Sequence, residues 1–149
     1  LSWLLYCVCP SDDGGINKYM DHEIAYILYN KNYQNIAKLM IPDSYIIPEN
    51  KSNGRPEVKN PVFSFVNNRL NMKFSMREKN IIWNEKITEE INNLKNIIES
   101  SHDYHLTYKL QAGQGVVTNN VIHMRTAFTN SKNKNRLLYR LRSKIRVSC

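Results

Sequence analysis

The sequence predicts a mainly β fold with one or two helices packed against the strands. Short apolar runs bounded by proline, glycine and asparagine recur along the chain, which is typical of strands joined by turns. One stretch near residue 90 instead repeats its apolar residues at helical spacing. With 149 residues, 42% of them hydrophobic, the chain is long enough to bury a core, and we expect a single domain over residues 1–149.

The first predicted element is a buried strand from Trp3 to Cys9. Its residues form a continuous apolar run that stops at Pro10, and a turn rich in aspartate and glycine follows. From Asp21 the apolar residues recur at helical spacing and predict a helix. A second, short helix over about 33–40 is expected to end before the next proline.

The segment 41–60 is predicted to be irregular. It contains three prolines, a glycine and many polar residues. Loops of this length within a domain often act as lids or binding loops, so we expect a lid here. Two short strands, at about 62–66 and 70–76, follow the segment and are expected to be joined around Asn67-Asn68.

A helix beginning at Thr88 is the next predicted element. Thr88 can cap the first turn, in which two glutamates would favour the helix dipole. Ile91, Leu94 and Ile98 form its apolar stripe. Further strands are predicted at 105–110, 116–122 and 137–147, with a glycine-rich turn before the second of these.

The net charge of +8 raises the question of nucleic-acid binding. Seven of the 21 lysines and arginines lie between Lys132 and Arg146, with Lys134 among them, and such a cluster can neutralise phosphates. The sequence has no helix-turn-helix pattern, zinc-ligand spacing or RNA-binding signature, so nucleic acid is not the expected partner. A non-catalytic basic module that binds nucleic acid or an acidic partner remains the alternative function.

The cysteines favour a reducing compartment. Cys7, Cys9 and Cys149 form no Cys-x-x-Cys pair, and we expect them to be reduced, structural residues of a cytoplasmic protein. We expect no membrane association, since no secretory signal or bilayer-spanning stretch is present. Because the chain begins at Leu1 within an apolar run, we expect it to be a piece of a longer sequence.

One histidine and two arginines form the main candidate site. His123 ends an apolar β-type run, and Arg136 and Arg140 follow it, four residues apart. On a strand that spacing places both guanidiniums on one face, and guanidinium matches a carboxylate bidentately. A histidine that ends an apolar strand is more often structural than a ligand, but together with the paired arginines the pattern fits a 2-oxo acid bound beside an imidazole-held metal.

These residues belong to a longer string with a family resemblance. The runs Leu110–Phe128 and Arg136–Arg140 resemble the C-terminal half of the taurine catabolism dioxygenase family, which includes clavaminate synthase-like Fe(II)/2-oxoglutarate enzymes. That family has a Gly-Asp turn, an apolar strand, Leu-His-Gly-Arg-Thr-Ala-Phe and an arginine-rich strand. The run Leu4–Pro10, the Gly14-Gly15 pair and Asp21 are similar to elements that follow the family's His-x-Asp.

The resemblance implies a double-stranded β-helix (a jelly roll), which we expect to be incomplete at the N-terminus. It implies an Fe(II)/2-oxoglutarate-dependent dioxygenase that hydroxylates a small, possibly amino-acid-like molecule. His123 would be the distal iron ligand, Arg136 the clamp on the far carboxylate of 2-oxoglutarate and Arg140 its helper. Arg125 would contact substrate or cosubstrate, and Asn17 stands where the family has a threonine that hydrogen-bonds 2-oxoglutarate.

The departures from the family pattern concern the iron site above all. Gln114 replaces the acid of the Gly-Asp turn, and Met124 replaces the glycine after the histidine. No His-x-Asp or His-x-Glu is present, and His22-Glu23 and His102-Asp103 lack the intervening residue. We therefore expect a truncated or degenerate copy without independent turnover, whose substrate and oligomeric state the sequence leaves open.

Overall fold

The computed structural model of the protein describes residues 2–76, 81–119, 121–132 and 135–147. Lys134 and Cys149, which the sequence analysis assigned to the basic cluster and to the structural cysteines, lie outside the described residues. The chain forms two compact units: Leu1–Asp21 with Tyr104–Cys149, and His22–Asp103. The prediction of a single partial dioxygenase domain over residues 1–149 stays a prediction.

Strands outnumber helices, as the sequence predicts. In chain order the strands and α-helices are β1 (Ser2–Cys9), β2 (Asp13–Gly14), β3 (Asn17–Met20), α1 (His22–Asn32), β4 (Tyr45–Ile47), β5 (Val58–Asn60), β6 (Phe63–Val66), β7 (Arg69–Met72), β8 (Ile82–Trp83), α2 (Thr88–Ser100), β9 (Leu106–Tyr108), β10 (Gly115–Thr118), β11 (Ile122–Arg125), β12 (Phe128–Thr129) and β13 (Leu137–Ser143). Short 3₁₀ turns lie between several of them, including one at Ile36–Met40 where a second short helix is predicted.

The first unit consists of antiparallel sheets. One has the order β10-β1-β13, a second has the order β11-β3-β9, and β12 pairs with β2. The predicted strand Trp3–Cys9 is confirmed as β1, whose pleat buries Trp3 and Cys7 and exposes Tyr6 and Val8. The first unit therefore pairs the first and the last of the strands, β1 and β13.

The prediction of one continuous strand at 116–122 is wrong, because two strands share this stretch. β10 ends at Thr118 and pairs with β1, whereas β11 begins at Ile122 and pairs with β3. The cause lies at Asn119, whose side-chain amide donates to the carbonyl of Val147 and accepts from its N–H at 2.9 and 2.8 Å. This pairing with a distant backbone ends one strand before the next begins.

The second unit packs α1 against α2. The predicted stripe of α2 is confirmed, since Ile91, Leu94 and Ile98 are all buried. The predicted cap is wrong: the Thr88 hydroxyl donates to the Glu85 carbonyl, because a 3₁₀ turn precedes the helix. That turn is capped by Asn84, whose side chain accepts from a backbone N–H.

The predicted hairpin is confirmed as β6 and β7. Asn67 and Asn68 join the strands with φ of 51° and 58°, in the left-handed region that asparagine tolerates better than most residues. Two asparagines in succession are therefore suited to this two-residue turn.

The segment 41–60 is more regular than predicted. It contains β4 and β5, which pair with each other, and β4 also pairs with β8. Tyr45-Ile46-Ile47 has strong strand propensity, and the prolines around it lie outside the paired residues. The role of this segment as a lid stays a prediction. In the described ranges we find no helix long and apolar enough to cross a membrane.

Candidate functional site

A small pocket in the first unit contains two of the predicted site residues, Asn17 and Arg136. It lies beside β1, β3 and the start of β13. Its lining consists of Cys7, Pro10, Ser11, Gly15, Asn17, Lys109, Leu110, Arg136 and Leu138. Strand pairing has therefore brought together two residues that stand far apart in the sequence.

Asn17 is held in the pocket by the middle strand of its sheet. It lies on β3 between β11 and β9, and its side chain is buried. Its amide nitrogen donates to the Tyr108 carbonyl at 3.4 Å. An amide nitrogen carries two hydrogens, so the group retains a second donor for a carboxylate.

Arg136 contributes a half-buried cation to the pocket. Its backbone N–H donates to the Asn130 side-chain oxygen at 3.2 Å, which fixes the chain just before β13 begins. Its guanidinium lies over the Phe128 ring, 5.0 Å from the ring centroid. Burial lowers the pKa of Arg136, and the neighbouring Arg125 lowers it further. Among the described residues, no carboxylate forms an ion pair with Arg136.

Arg125 approaches the same aromatic ring from β11. Its guanidinium lies 4.4 Å from the Phe128 centroid, and its Nε donates to the carbonyl of Thr126. On the adjacent strand Arg125 stands directly opposite Asn17. Arg125, Arg136 and Asn17 thus surround one small region that is rich in positive charge and hydrogen-bond donors.

His123 shares the strand face of Arg125. It lies two residues before Arg125 on β11 and opposite Tyr19, and alternate residues of a strand point the same way. Its imidazole is exposed and packs against Trp3, with 4.8 Å between the ring centroids. The sheet therefore presents His123, Arg125 and Asn17 on one side.

The hydrogen bonding of His123 suits a metal ligand. Its Nδ1 lies 3.1 Å from the Val121 carbonyl. Because a carbonyl only accepts, Nδ1 carries the hydrogen in this bond and Nε2 keeps its lone pair in the neutral ring. Metal-binding histidines commonly donate their other ring N–H to a carbonyl or carboxylate in this way.

The rest of an iron site is not found in the part of the chain that the structure describes. Those residues contain no group of three His, Cys, Asp or Glu side chains placed to hold a metal. Non-haem iron of the oxygenase type requires two histidines and a carboxylate. His123 fits as one ligand, and the described residues do not complete the set. His22 is buried with its Nε2 3.0 Å from the Leu70 carbonyl, as expected of a structural histidine.

Arg140 lies on the strand of the pocket but not in the pocket lining. It stands opposite Leu5, on the same face of β13 as the pocket residue Leu138. Its side chain is exposed, as are the apolar residues Tyr139 and Leu141 that point the other way. Its role as a helper of Arg136 stays a prediction.

Three aromatic residues at the site were not identified from the sequence. Phe128 contacts both guanidiniums, Trp3 packs on the imidazole, and Tyr19 lies 6.2 Å from Trp3 between ring centroids. The Trp3 indole nitrogen and the Tyr19 hydroxyl are buried without a hydrogen-bond partner among the described residues. Tyr19 could have been found from the sequence, because it stands two residues after Asn17 on a strand and therefore points to the same face.

Comparison with known proteins finds similarity at the level of structure. No protein-family model and no curated protein matches the sequence. An asparagine oxygenase solved with Fe(II), 2S,3S-3-hydroxyasparagine and succinate superposes with a TM-score of 0.67 and 18% identity. The non-haem iron oxygenase OrfP, solved with Fe and α-ketoglutaric acid, gives a TM-score of 0.61 and 14% identity. A mutant of OrfP bound to (3S)-hydroxy-L-Arg gives 0.60 and 13%.

These similarities confirm the predicted fold class. Each covers 93% of this chain but only 43–46% of the other chain, so this chain spans less than half the length of the structures it resembles. The fold is similar to the jelly roll of these non-haem iron oxygenases, as the family resemblance of the motif around His123 implies.

Proposed function

We propose that this chain is the 2-oxoglutarate-binding part of an Fe(II)/2-oxoglutarate-dependent oxygenase. The observation that carries the proposal is the pocket in which Arg136 and Asn17 meet without a protein carboxylate paired to the arginine in the described residues. A half-buried guanidinium without an anionic partner is costly, and a bound carboxylate offsets that cost.

Each residue has a proposed part in binding the cosubstrate. The Arg136 guanidinium grips the far carboxylate of 2-oxoglutarate, and the Asn17 amide donates a further hydrogen bond. Arg125, beside Arg136, adds positive charge that favours a dianion. α-Ketoglutaric acid and succinate are the ligands crystallised in the structurally similar OrfP and asparagine oxygenase.

His123 is proposed as one protein ligand of Fe(II). Its Nδ1–H bond to Val121 and the packing of Trp3 hold the ring so that Nε2 stays available. When bound, the iron supplies oxygen activation coupled to decarboxylation of the 2-oxo acid. The other iron ligands are not among the described residues, so we assign no reaction step to this chain by itself.

The proposed substrate class is small and amino-acid-like. The asparagine oxygenase and OrfP structures contain a hydroxylated asparagine and a hydroxylated arginine, respectively. No observation specifically favours the alternative of a nucleic-acid-binding module, and the similar structures are oxygenases. The reaction proposed for the whole protein is therefore hydroxylation of an amino-acid-like molecule.

Binding of 2-oxoglutarate, measured by titration calorimetry, tests the proposal. We expect the unmodified chain to bind 2-oxoglutarate and Arg136→Ala to lose at least about tenfold in affinity, because hydrogen bonds to charged groups contribute about 1.5–3 kcal/mol. Arg142→Ala is the matched control, since Arg142 is an exposed arginine on β13 outside the pocket lining.

Two results would contradict the proposed function. One is an unmodified chain that does not bind 2-oxoglutarate. The other is an equal loss in Arg136→Ala and Arg142→Ala, which would indicate attraction by overall charge instead of a site. In that case we would measure binding of the same variants to duplex DNA at several salt concentrations. This measurement tests the alternative function, a basic module that binds nucleic acid.

A further inference from the structure

We infer that Phe128 is a positioning residue for the cosubstrate site: its ring holds the Arg136 guanidinium in the orientation that grips a dicarboxylate. The inference rests on the proposed function. It assigns a role to a side chain that carries no charge and does not itself line the pocket.

The backbone around Phe128 is fixed from two directions. Phe128 pairs with Gly14 in the short sheet of β2 and β12. Just before it, the N–H of Thr126 donates to the Ile16 carbonyl at 3.0 Å, and the Ala127 carbonyl accepts from Gly15 at 3.0 Å. The Thr126 hydroxyl also accepts from the Ile16 N–H at 3.1 Å. The ring is therefore attached to an anchored piece of chain.

The Arg136 side chain passes closely beside this anchor. A Cβ placed on Gly15 would lie 3.5 Å from Arg136 Nε and 3.6 Å from Phe128 Cβ, and it would collide with the Ser11 hydroxyl. Gly15 also has φ of +69°, which favours glycine. Arg136 and Phe128 are therefore both close neighbours of Gly15, at ordinary contact distance from the position that a Cβ would take.

The ring compensates for what Arg136 loses on burial. A guanidinium stacks well on an aromatic face, and the attraction is stronger when water is excluded. Phe128 provides this without occupying the N–H groups that a carboxylate needs, whereas an acidic partner would compete with the ligand. An aromatic contact thus restrains the cation and leaves it able to bind.

Two cations share this one ring. Arg125 and Arg136 lie 4.4 and 5.0 Å from its centroid, and neither has a carboxylate ion pair within the ranges described above. Their mutual repulsion favours separation of the two side chains. Without the ring, we expect the flexible Arg136 side chain to move away from Arg125 and out of the pocket, and the site to lose its preformed geometry.

The test compares Phe128→Leu with Phe128→Tyr. Leucine keeps much of the volume and removes the ring face, whereas tyrosine keeps the face. We expect 2-oxoglutarate affinity to fall about five- to thirtyfold in Phe128→Leu, from a cation–π contribution of about 1–2 kcal/mol, and to be retained in Phe128→Tyr. Phe65→Leu is the control for loss of a phenyl ring elsewhere, since Phe65 is exposed in the second unit.

A second measurement does not depend on ligand binding. Protons above an aromatic ring resonate upfield, so the Arg136 Nε–H signal in the free protein is expected upfield of an ordinary arginine. That shift should disappear in Phe128→Leu and persist in Phe128→Tyr. Thermal unfolding of each variant, followed by circular dichroism, shows whether it is folded.

The outcomes separate this inference from the proposed function. If the unmodified chain binds no 2-oxoglutarate, the proposed function fails whatever the Phe128 variants do. If it binds and a folded Phe128→Leu binds equally well, the positioning role of Phe128 is wrong and the proposed function stands. An unshifted Arg136 signal in the unmodified chain also overturns the inference, even when Phe128→Leu does not fold.

Discussion

Arg136 and Glu90 carry opposite charges and have opposite surroundings. Glu90 is buried in the second unit and accepts a hydrogen bond from Lys38 at 2.6 Å. Arg136, in the first unit, is half-buried and has no ion pair to a carboxylate among the described residues. A buried charge needs a partner, so folding explains the Glu90–Lys38 pair, and the lack of a carboxylate beside Arg136 is what the proposed cosubstrate would satisfy.

The Glu90–Lys38 pair makes the stability of the protein depend on pH. Burial by itself raises the pKa of Glu90, but the hydrogen bond and charge of Lys38 outweigh it, and the pKa lies below its usual 4.5. A depressed carboxyl pKa stabilises the fold above the unfolded-state value, and this contribution is lost as the pH falls through the folded-state value. We expect Glu90→Gln to be less stable than the unmodified chain at pH 7.

The pH profile provides the check on this prediction. The difference in free energy of unfolding between the two chains, from urea titrations, should shrink as the pH falls below about 4.5. A difference that is constant between pH 7 and pH 3 would show that the carboxylate charge contributes nothing. Glu99→Gln, at an exposed position on α2, is the control.

Helix α2 shows how an amphipathic element can be read from its sequence. Leu94 and Ile98 are fully buried and Ile91 nearly so, whereas Asn92 on the same helix is exposed. The stripe follows from helical periodicity and needs no knowledge of what it packs against. The helix start was harder to predict, because a 3₁₀ turn precedes the helix. The Thr88 hydroxyl donates to the Glu85 carbonyl of that turn and does not cap the helix.

Truncation of the α2 stripe should destabilise the protein strongly. We expect Leu94→Ala to lower the free energy of unfolding by about 2–5 kcal/mol, since it removes buried methyl groups and leaves a cavity. Asn92→Ala should change it by less than about 0.5 kcal/mol. Urea unfolding followed by circular dichroism measures both, and a similar effect of the two substitutions would contradict the burial of the stripe.

The proposed cosubstrate pocket and the proposed iron ligand both lie in the first unit of the molecule. Arg136, Asn17 and Arg125 converge in the first unit, and His123 lies on the face of β11 that Arg125 shares. The described residues contain no group of three His, Cys, Asp or Glu side chains placed to hold a metal, so His123 is the only ligand proposed from them. A single imidazole does not hold Fe(II) tightly, because affinity comes from the chelating set.

This arrangement predicts binding without turnover for the 149-residue chain. With Fe(II), ascorbate, oxygen and 2-oxoglutarate, we expect succinate release no faster than in a protein-free control. The reason is the incomplete ligand set among the described residues. Sustained succinate release that His123→Ala abolishes would contradict the prediction and show that further ligands exist in the chain.

Several features were accessible from the sequence by itself. The strand β1, the β6–β7 hairpin and the stripe of α2 depend on apolar spacing and turn residues within a few positions of one another. These features are determined locally, because neighbours along the chain set periodicity and turns. The jelly-roll fold and the candidate roles of His123 and Arg136 came instead from the resemblance of one motif to a known family.

Only the tertiary structure decided how the site is assembled. Antiparallel pairing of β3 with β11 places Asn17 opposite Arg125, although the two lie far apart in the sequence. The short β2–β12 sheet puts Phe128 where both guanidiniums reach it. Pairing between distant strands leaves no spacing signal in the sequence. From the sequence, Phe128 is indistinguishable from an ordinary core residue, because its contact with two cations depends on that pairing.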